Sequence, residues 1–93
     1  MNDTDKIKVY VTVTAVTTID GRMIPRSLVW EDGRRFMIDR ITEIRQAAAE
    51  KCGGQGERFT IWVNGRQSYL FFERFPPLTG NNIGRWFVER RSA

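Results

Sequence analysis

The chain opens on a strict alternation of apolar and polar side chains. Between residues 7 and 15 every second position is apolar, namely Ile7, Val9, Val11, Val13 and Ala15. A period of two, with many β-branched residues, predicts a half-buried β-strand. The runs from Arg58 to Phe72 and from Arg85 to Arg90 read as further strands, the second of them the last in the chain.

Dipeptides of aspartate or asparagine followed by glycine separate the strand-like runs. Asp20-Gly21, Asp32-Gly33 and Asn64-Gly65 each favour a two-residue hairpin turn, in which both central residues need a positive φ. The pattern predicts an all-β protein, a small antiparallel barrel of about six strands with an SH3-like or OB-like layout. Closure would remove exposed sheet edges. A two-sheet sandwich is the alternative.

The stretch from Asp39 to Gly54 has two readings. Asp39 could cap a helix, and Ala47 to Lys51 favour one. However, Ile38, Ile41 and Ile44 continue directly from a strand. We therefore expect a strand to about Ile44, with a bulge, followed by a loop or one short helical turn near residues 45–52.

A two-residue turn at Asp32-Gly33 would fix the register of its hairpin. Trp30 would face Arg35, Val29 would face Phe36 and Arg26 would face Asp39. Glu31 would also face Arg34, so opposite charges meet twice, which favours this register. Trp30 and Arg35 become candidate ligand-binding residues.

The Asn64-Gly65 turn predicts two different faces for its hairpin. One face is apolar and forms the core, with Phe59, Ile61, Val63, Leu70 and Phe72. The opposite face combines aromatic rings with a guanidinium group, and its candidate ligand-binding residues are Arg58, Trp62, Tyr69 and Phe71. Whether these rings are exposed or covered decides how well that face could bind a ligand.

Length and composition limit the remaining choices. The 93 residues suit a single domain, 1–93, with residues 1–5 as a flexible terminus. No apolar run approaches the ~20 residues of a membrane helix, so we expect no membrane partner. The single cysteine, Cys52, and the absence of a signal-like N-terminus favour the cytoplasm. The net charge of +4 comes mostly from arginine, which suits bidentate contacts to phosphate.

Few catalytic chemistries fit this composition. The chain has no histidine, which excludes histidine-dependent triads and metal sites, and we expect neither a metal nor a cofactor. Gly53-Gly54-Gln55 matches the tripeptide of peptide-release factors, a remote alternative that would imply a hydrolase. The glycines that follow Cys52 fit a loop between strands better than a phosphate cradle, because no helix comes after them. The sequence therefore predicts a protein that is not an enzyme.

Three longer stretches carry a family resemblance. They are "VWEDGRRFMID", "GGQGERFTIWVNGRQSYLFFE" and "RWFVER". The chain resembles a family of small uncharacterised bacterial proteins of Clostridia-like Gram-positive species, over nearly its whole length. The matching positions are Trp30–Arg34, Gly53–Gly56, Tyr69–Glu73 and Trp86–Glu89. The resemblance implies a single-domain bacterial protein, and it carries no assigned function.

Two functions compete at this point. A small binding module could hold nucleic acid on the aromatic and arginine face, with rings stacking on bases and arginines contacting phosphates. Alternatively, the same face could form a protein–protein or homodimer interface, since Trp, Tyr and Arg are enriched there. An unpaired barrel edge, such as the strand with Trp86, could also receive a strand from a partner.

Overall fold

The computed structural model describes residues 6–47, 56–75, 80 and 83–91, and strands make up most of this part of the chain. In chain order the strands are β1 (Lys6–Thr17), β2 (Met23–Val29), β3 (Arg35–Met37), β4 (Arg40–Gln46), β5 (Gly56–Val63), β6 (Arg66–Arg74) and β7 (Gly84–Arg91). They form one antiparallel sheet in the order β3-β2-β1-β7-β6-β5-β4. The sheet curls into a half-barrel. The all-β prediction is confirmed, with seven strands rather than about six and one continuous sheet rather than a sandwich.

The long alternating run forms β1, which pairs with two neighbouring strands. Lys6 to Val11 pair with β7, and Thr12 to Thr17 pair with β2. A register shift lies between Thr14 and Ala15. The extra residue of this irregularity is Arg26, so the bulge lies on β2 and increases the twist where β1 and β2 pair.

The concave face of the half-barrel contains the main core. Its buried members are Val9, Leu28, Phe59, Ile61, Leu70, Phe72, Trp86 and Val88. Phe59 and Phe72 both pack on Trp86, with ring centroids 5.3 and 4.8 Å apart. The predicted core face of the β5–β6 hairpin is confirmed, since four of its residues belong to this cluster and Val63 packs against it.

The register predicted for the β5–β6 hairpin is also confirmed. Val63 pairs with Arg66, Trp62 with Gln67, and the ladder continues without a shift. Asn64 and Gly65 adopt φ values of 52° and 79°. Both central residues therefore take the left-handed conformation that a two-residue turn requires. The backbone N–H of Asn64 also donates to Asp39 Oδ2 at 2.9 Å.

The register predicted for the Asp32-Gly33 hairpin is wrong by one residue. The Trp30 N–H donates to Arg34 O at 2.8 Å, and Leu28 pairs with Phe36. The loop therefore contains Glu31 as well, and only its glycine has a positive φ, 88°. Asp32 accepts a hydrogen bond from the Arg34 N–H at 3.0 Å, which stabilises this wider turn. The Asp20-Gly21 turn behaves in the same way, because Thr18 N–H donates to Arg22 O across it.

The ambiguous segment begins as a strand. A short break at Ile38 and Asp39 separates β3 from β4, and β4 has an irregularity between Ile41 and Glu43, as the predicted bulge required. Arg45 and Gln46 are extended and not helical. Residues 48–52 of the predicted helical turn, the Gly53-Gly54-Gln55 loop and residues 1–5 lie outside the described residues.

The edge prediction for the Trp86 strand is wrong. Trp86 belongs to β7, which lies between β1 and β6 near the middle of the sheet. The sheet edges are β3 and β4 instead. Among the described residues, no helix has the length and hydrophobicity that crossing a membrane requires.

Candidate functional site

The convex face carries a continuous row of aromatic and basic residues. Directly paired positions on neighbouring strands bring together Tyr10, Phe87, Phe71, Arg58 and Arg45, one each from β1, β7, β6, β5 and β4. Adjacent rows place Trp62 and Tyr69 on the same side of the sheet. We call this surface the convex aromatic face. It contains the candidate residues of the β5–β6 hairpin, as the turn predicted.

Phe71 is the buried centre of this face. Its side chain is 2% exposed, and it stacks on Phe87 with centroids 4.8 Å apart and planes 4° from parallel. Tyr10 meets Phe87 edge-on at 5.7 Å, and Lys8 Nζ lies 4.7 Å from the centre of the Phe87 ring. Phe71 therefore acts as a packed support and not as an accessible platform. Phe87 belongs to the same pair and was not among the predicted site residues.

Tyr69 is more accessible, but its ring already has a cationic neighbour. The side chain is 41% exposed, and the guanidinium carbon of Arg58 lies 4.5 Å from its ring centre. Arg58 also contacts Glu43, with 3.3 Å between Nη2 and Oε1. The ion pair holds the guanidinium group above the Tyr69 ring, which fixes it as part of the face.

Trp62, on β5, is the second aromatic ring of this face that contacts an arginine. The indole is half-buried, and the Arg40 guanidinium carbon lies 4.7 Å from its ring centre. Arg40 stands directly opposite Trp62 in the ladder between β4 and β5. Two neighbouring aromatic rings are therefore each covered by an arginine from the same face.

Three buried polar side-chain atoms belong to residues on the convex side of β5. Within the described part of the chain, Arg58 Nε, Thr60 Oγ1 and Trp62 Nε1 have no hydrogen-bond partner. They belong to alternate residues and hence to one side of the strand. Each such atom costs about 1–3 kcal/mol when it loses water without a new partner. A ligand with acceptor oxygens would offer hydrogen bonds to the two N–H groups and the hydroxyl.

Trp30 and Arg35 do not join this surface. The corrected register places Trp30 on the side of Leu28 and Phe36, and it packs half-buried against the concave core. Arg35 lies on the other side of the same hairpin and donates to Ser27 Oγ at 3.0 Å. The predicted Trp30–Arg35 contact is therefore wrong, because the hairpin loop has an odd number of residues and shifts the two onto opposite faces.

A buried carboxylate anchors the end of the convex aromatic face. Glu73 is 8% exposed; its Oε1 accepts from Arg85 Nε at 2.9 Å and from the Tyr10 hydroxyl at 3.1 Å, and Lys8 Nζ lies 3.5 Å from Oε2. Burial opposes ionisation, but the hydrogen bonds from Arg85 and Tyr10 outweigh it and lower the pKa of Glu73 below its ordinary value of 4.5. Arg85 also lies 4.0 Å above the Tyr10 ring.

The concave side has a groove beside the exposed edge of the sheet. Its volume is about 920 Å³. The apolar part of its lining consists of Met23, Ile24, Ile41, Ile44, Phe59 and Ile83. Arg74 and Glu57 form a bidentate ion pair in the lining, with Nη2 to Oε2 at 2.9 Å. Periodicity alone could not predict this groove, since it depends on how far the sheet curls.

No cation site emerges from the described side chains. Among these residues, no group of three or more Cys, Asp or Glu is arranged to hold a metal ion. Cys52 lies outside the described residues. Comparisons with models of protein families, with curated proteins and with solved structures gave no match to this chain. The resemblance to a bacterial family therefore stays a prediction.

Proposed function

We propose that the chain is a small, non-enzymatic, cytoplasmic module that binds single-stranded nucleic acid on its convex aromatic face. The observation that carries the proposal is the pair of arginine-covered rings, Arg58 over Tyr69 and Arg40 over Trp62. Unpaired bases stack on guanidinium planes as well as on aromatic rings. In this arrangement the rings support the arginines from below, and the arginines present their outer surfaces to the bases.

Charge supports the same assignment. The convex aromatic face and its immediate border carry Lys8, Arg40, Arg45, Arg58 and Arg85, against Glu43, Glu73 and Glu89. Glu73 is already neutralised by its own cluster. The excess of cations attracts a phosphate backbone, and the unpartnered donors along β5 add hydrogen bonds that a phosphate or base oxygen could accept.

The test is a titration of fluorescently labelled single-stranded DNA at several salt concentrations. We expect binding that weakens with salt, and a logarithmic slope that falls by about 0.7 for each phosphate contact removed. Arg58→Ala and Arg40→Ala should each weaken binding by about fivefold or more. Arg66→Ala is the charge-matched control, since this exposed arginine stands opposite Val63 on the other face.

Two outcomes would overturn the proposal. One is a lack of binding at low salt. The other is an equal loss from Arg66→Ala and Arg58→Ala, which would show that net charge alone is responsible and that the arginine-covered rings play no part.

Binding to a protein is the second candidate function. It is favoured by one observation: within the described residues, β4 is an edge strand of the sheet and lies beside the groove. A homodimer through the convex aromatic face is less well supported, because Phe71 is already buried within the chain. Analytical ultracentrifugation tests for the homodimer directly. A dimer that dissociates in the Tyr69→Ala variant would establish an interface on the convex aromatic face.

A further inference from the structure

Arg58 makes two different contacts with its guanidinium group on the convex aromatic face. Its guanidinium carbon lies 4.5 Å from the centre of the Tyr69 ring, and its Nη2 lies 3.3 Å from Glu43 Oε1. Its Nε, the other half of the same donor fork, is buried and has no partner among the described residues. Arginine binds a phosphate best through two parallel N–H groups of such a fork. At Arg58 one of these groups contacts a carboxylate and the other is inaccessible.

Glu43 also contacts a second arginine. Its Oε2 lies 3.6 Å from Arg45 Nε, so this one carboxylate partly neutralises both Arg45 and Arg58. The Glu43 side chain is 46% exposed. An anion that approaches either guanidinium group therefore meets the charge of Glu43 first, well within the distance over which salt screens.

Arg85 repeats the combination of ring and carboxylate at the end of the face. Its guanidinium carbon lies 4.0 Å from the centre of the Tyr10 ring, and its Nε donates to Glu73 Oε1 at 2.9 Å. Arg40 differs from these arginines. It contacts the Trp62 ring at 4.7 Å, and among the described side chains it has no ion-pair partner. Arg40 is therefore the arginine that can contact a phosphate without first displacing an acid.

We propose that Glu43 makes the convex aromatic face selective for single strands over duplexes, an inference that rests on the nucleic-acid binding proposed above. A duplex hides the faces of its bases and binds mainly through its phosphates. An unpaired strand also offers bases that stack on rings and guanidinium planes. Because Glu43 occupies N–H groups of Arg45 and Arg58 but leaves Arg58 flat on its ring, it weakens phosphate contacts more than stacking. The ligand that depends on phosphates alone loses more affinity.

The test compares Glu43→Gln with the parent by fluorescence anisotropy. The probes are a labelled single strand of about twelve nucleotides and the duplex that it forms with its complement. Glutamine keeps a carbonyl that can accept from Arg58, but it no longer neutralises the arginine charges. We expect duplex binding to become about fivefold tighter at low salt, with a salt slope steeper by about 0.9. The single strand should gain about twofold or less, since a base stacked on Arg58 keeps phosphates away from it.

Glu31→Gln is the matched control. It changes the net charge equally, at an exposed ion pair away from the convex aromatic face, where Glu31 Oε2 lies 3.5 Å from Arg90 Nε. It should leave the ratio of the two affinities unchanged. Inorganic phosphate gives a second measurement without nucleic acid, read from the NMR signals of the arginine side chains. We expect phosphate to shift the Arg40 signals in the parent, and those of Arg45 and Arg58 only in the Glu43→Gln variant.

An equal gain for single strand and duplex in Glu43→Gln would overturn the inference and leave the proposed function standing. So would an equal effect of Glu31→Gln, or a phosphate-induced shift of Arg58 in the parent as large as that of Arg40. A parent that binds no single strand at low salt would overturn the proposed function, and this inference with it.

Discussion

Phe71 and Phe72 are consecutive residues of β6, yet they are buried by different means. Phe72, on the concave face, is 1% exposed and packs against Trp86 within an apolar cluster. Phe71, on the convex face, is 2% exposed and stacks on Phe87. The described neighbours of that second pair include Lys8, Tyr10 and Ala47. Phe72 is therefore buried mainly by the apolar residues of its cluster, with Arg74 at 5.5 Å from its ring, whereas the Phe71–Phe87 pair has Lys8 and Tyr10 among its few neighbours.

The comparison indicates which face of the sheet has side-chain contacts that respond to pH, salt or a ligand. Contacts within the buried cluster of the concave face are apolar and insensitive to pH and salt near neutrality, and the Arg74–Glu57 ion pair lies outside that cluster. On the convex face the covering groups keep apolar stems over the rings and charged ends near water. A ligand can displace or recruit these groups at lower cost than it could open the core. This difference is why we propose the convex face for binding, although Phe71 at its centre is buried.

The largest expected difference between the faces is the cost of truncating the two phenylalanines. Phe72→Ala should destabilise the protein by about 3–5 kcal/mol, because the concave core cannot collapse around the cavity. Phe71→Ala should cost about 2 kcal/mol, since the long side chains above it can move into the space and mainly the transfer term is lost. Urea unfolding measures both. If the two variants lose equal stability, the convex cover is as rigid as the core and the comparison fails.

The next largest effect on stability is expected from Glu73, the buried carboxylate at the end of the convex aromatic face. Glu73→Gln keeps the shape of the side chain but weakens its bonds to Arg85 and Tyr10, and should cost about 1–3 kcal/mol at neutral pH. The pKa of Glu73 is lowered in the folded state. Its contribution is therefore complete above the ordinary value of 4.5 and is lost as pH falls through the lower folded value.

The measurement is urea unfolding between neutral and acidic pH. The parent should lose stability in that acidic range, and the glutamine variant should lose less there. Glu43→Gln is a control on the same face, with a half-exposed carboxylate. Parallel pH profiles for the parent and Glu73→Gln would contradict a stabilising role of the Glu73 carboxylate.

The turns show how much of this arrangement the sequence could predict. Asn64-Gly65 gave the correct register, because asparagine accepts the left-handed conformation and the two-residue turn needs it. Asp20 and Asp32 do not adopt a positive φ, and their side chains instead accept local hydrogen bonds within wider loops. Asn-Gly and Asp-Gly both predict a hairpin. In this chain the asparagine forms a loop of two residues and each aspartate a loop of three, so the chemistry of the first residue separates the two cases.

Burial on the convex face was harder to predict than register. Trp62, Tyr69 and Phe71 were assigned to one face correctly, since alternation along β5 and β6 determines it. The Phe71–Phe87 stack and the Glu73 cluster depend on β7 lying beside β6 and β1 beside β7. These pairings join distant parts of the chain, and the alternation pattern carries no information about strand order.

A smaller effect tests the turn that keeps the two faces apart. Gly65→Ala places a β-carbon on a residue with a φ of 79°, and nothing within 4 Å obstructs it. The cost should therefore be backbone strain alone, about 1–2 kcal/mol. Gly65→Asn is the matched control and should cost less, because asparagine tolerates this conformation. Thermal unfolding ranks the variants, and equal losses would contradict strain as the cause.

The smallest expected effect is the coupling between Arg58 and the ring beneath it. A double-mutant cycle with Arg58→Ala and Tyr69→Ala should give about 0.5–1 kcal/mol, the range of cation–π contacts near a surface. The parallel cycle with Arg40→Ala and Trp62→Ala should give as much or more, because tryptophan is the stronger partner for a cation. Both are measured by urea unfolding at two salt concentrations. A coupling of zero in both cycles would mean that the arginines do not rest on the rings in solution, and the rings themselves would then be free to stack with a base.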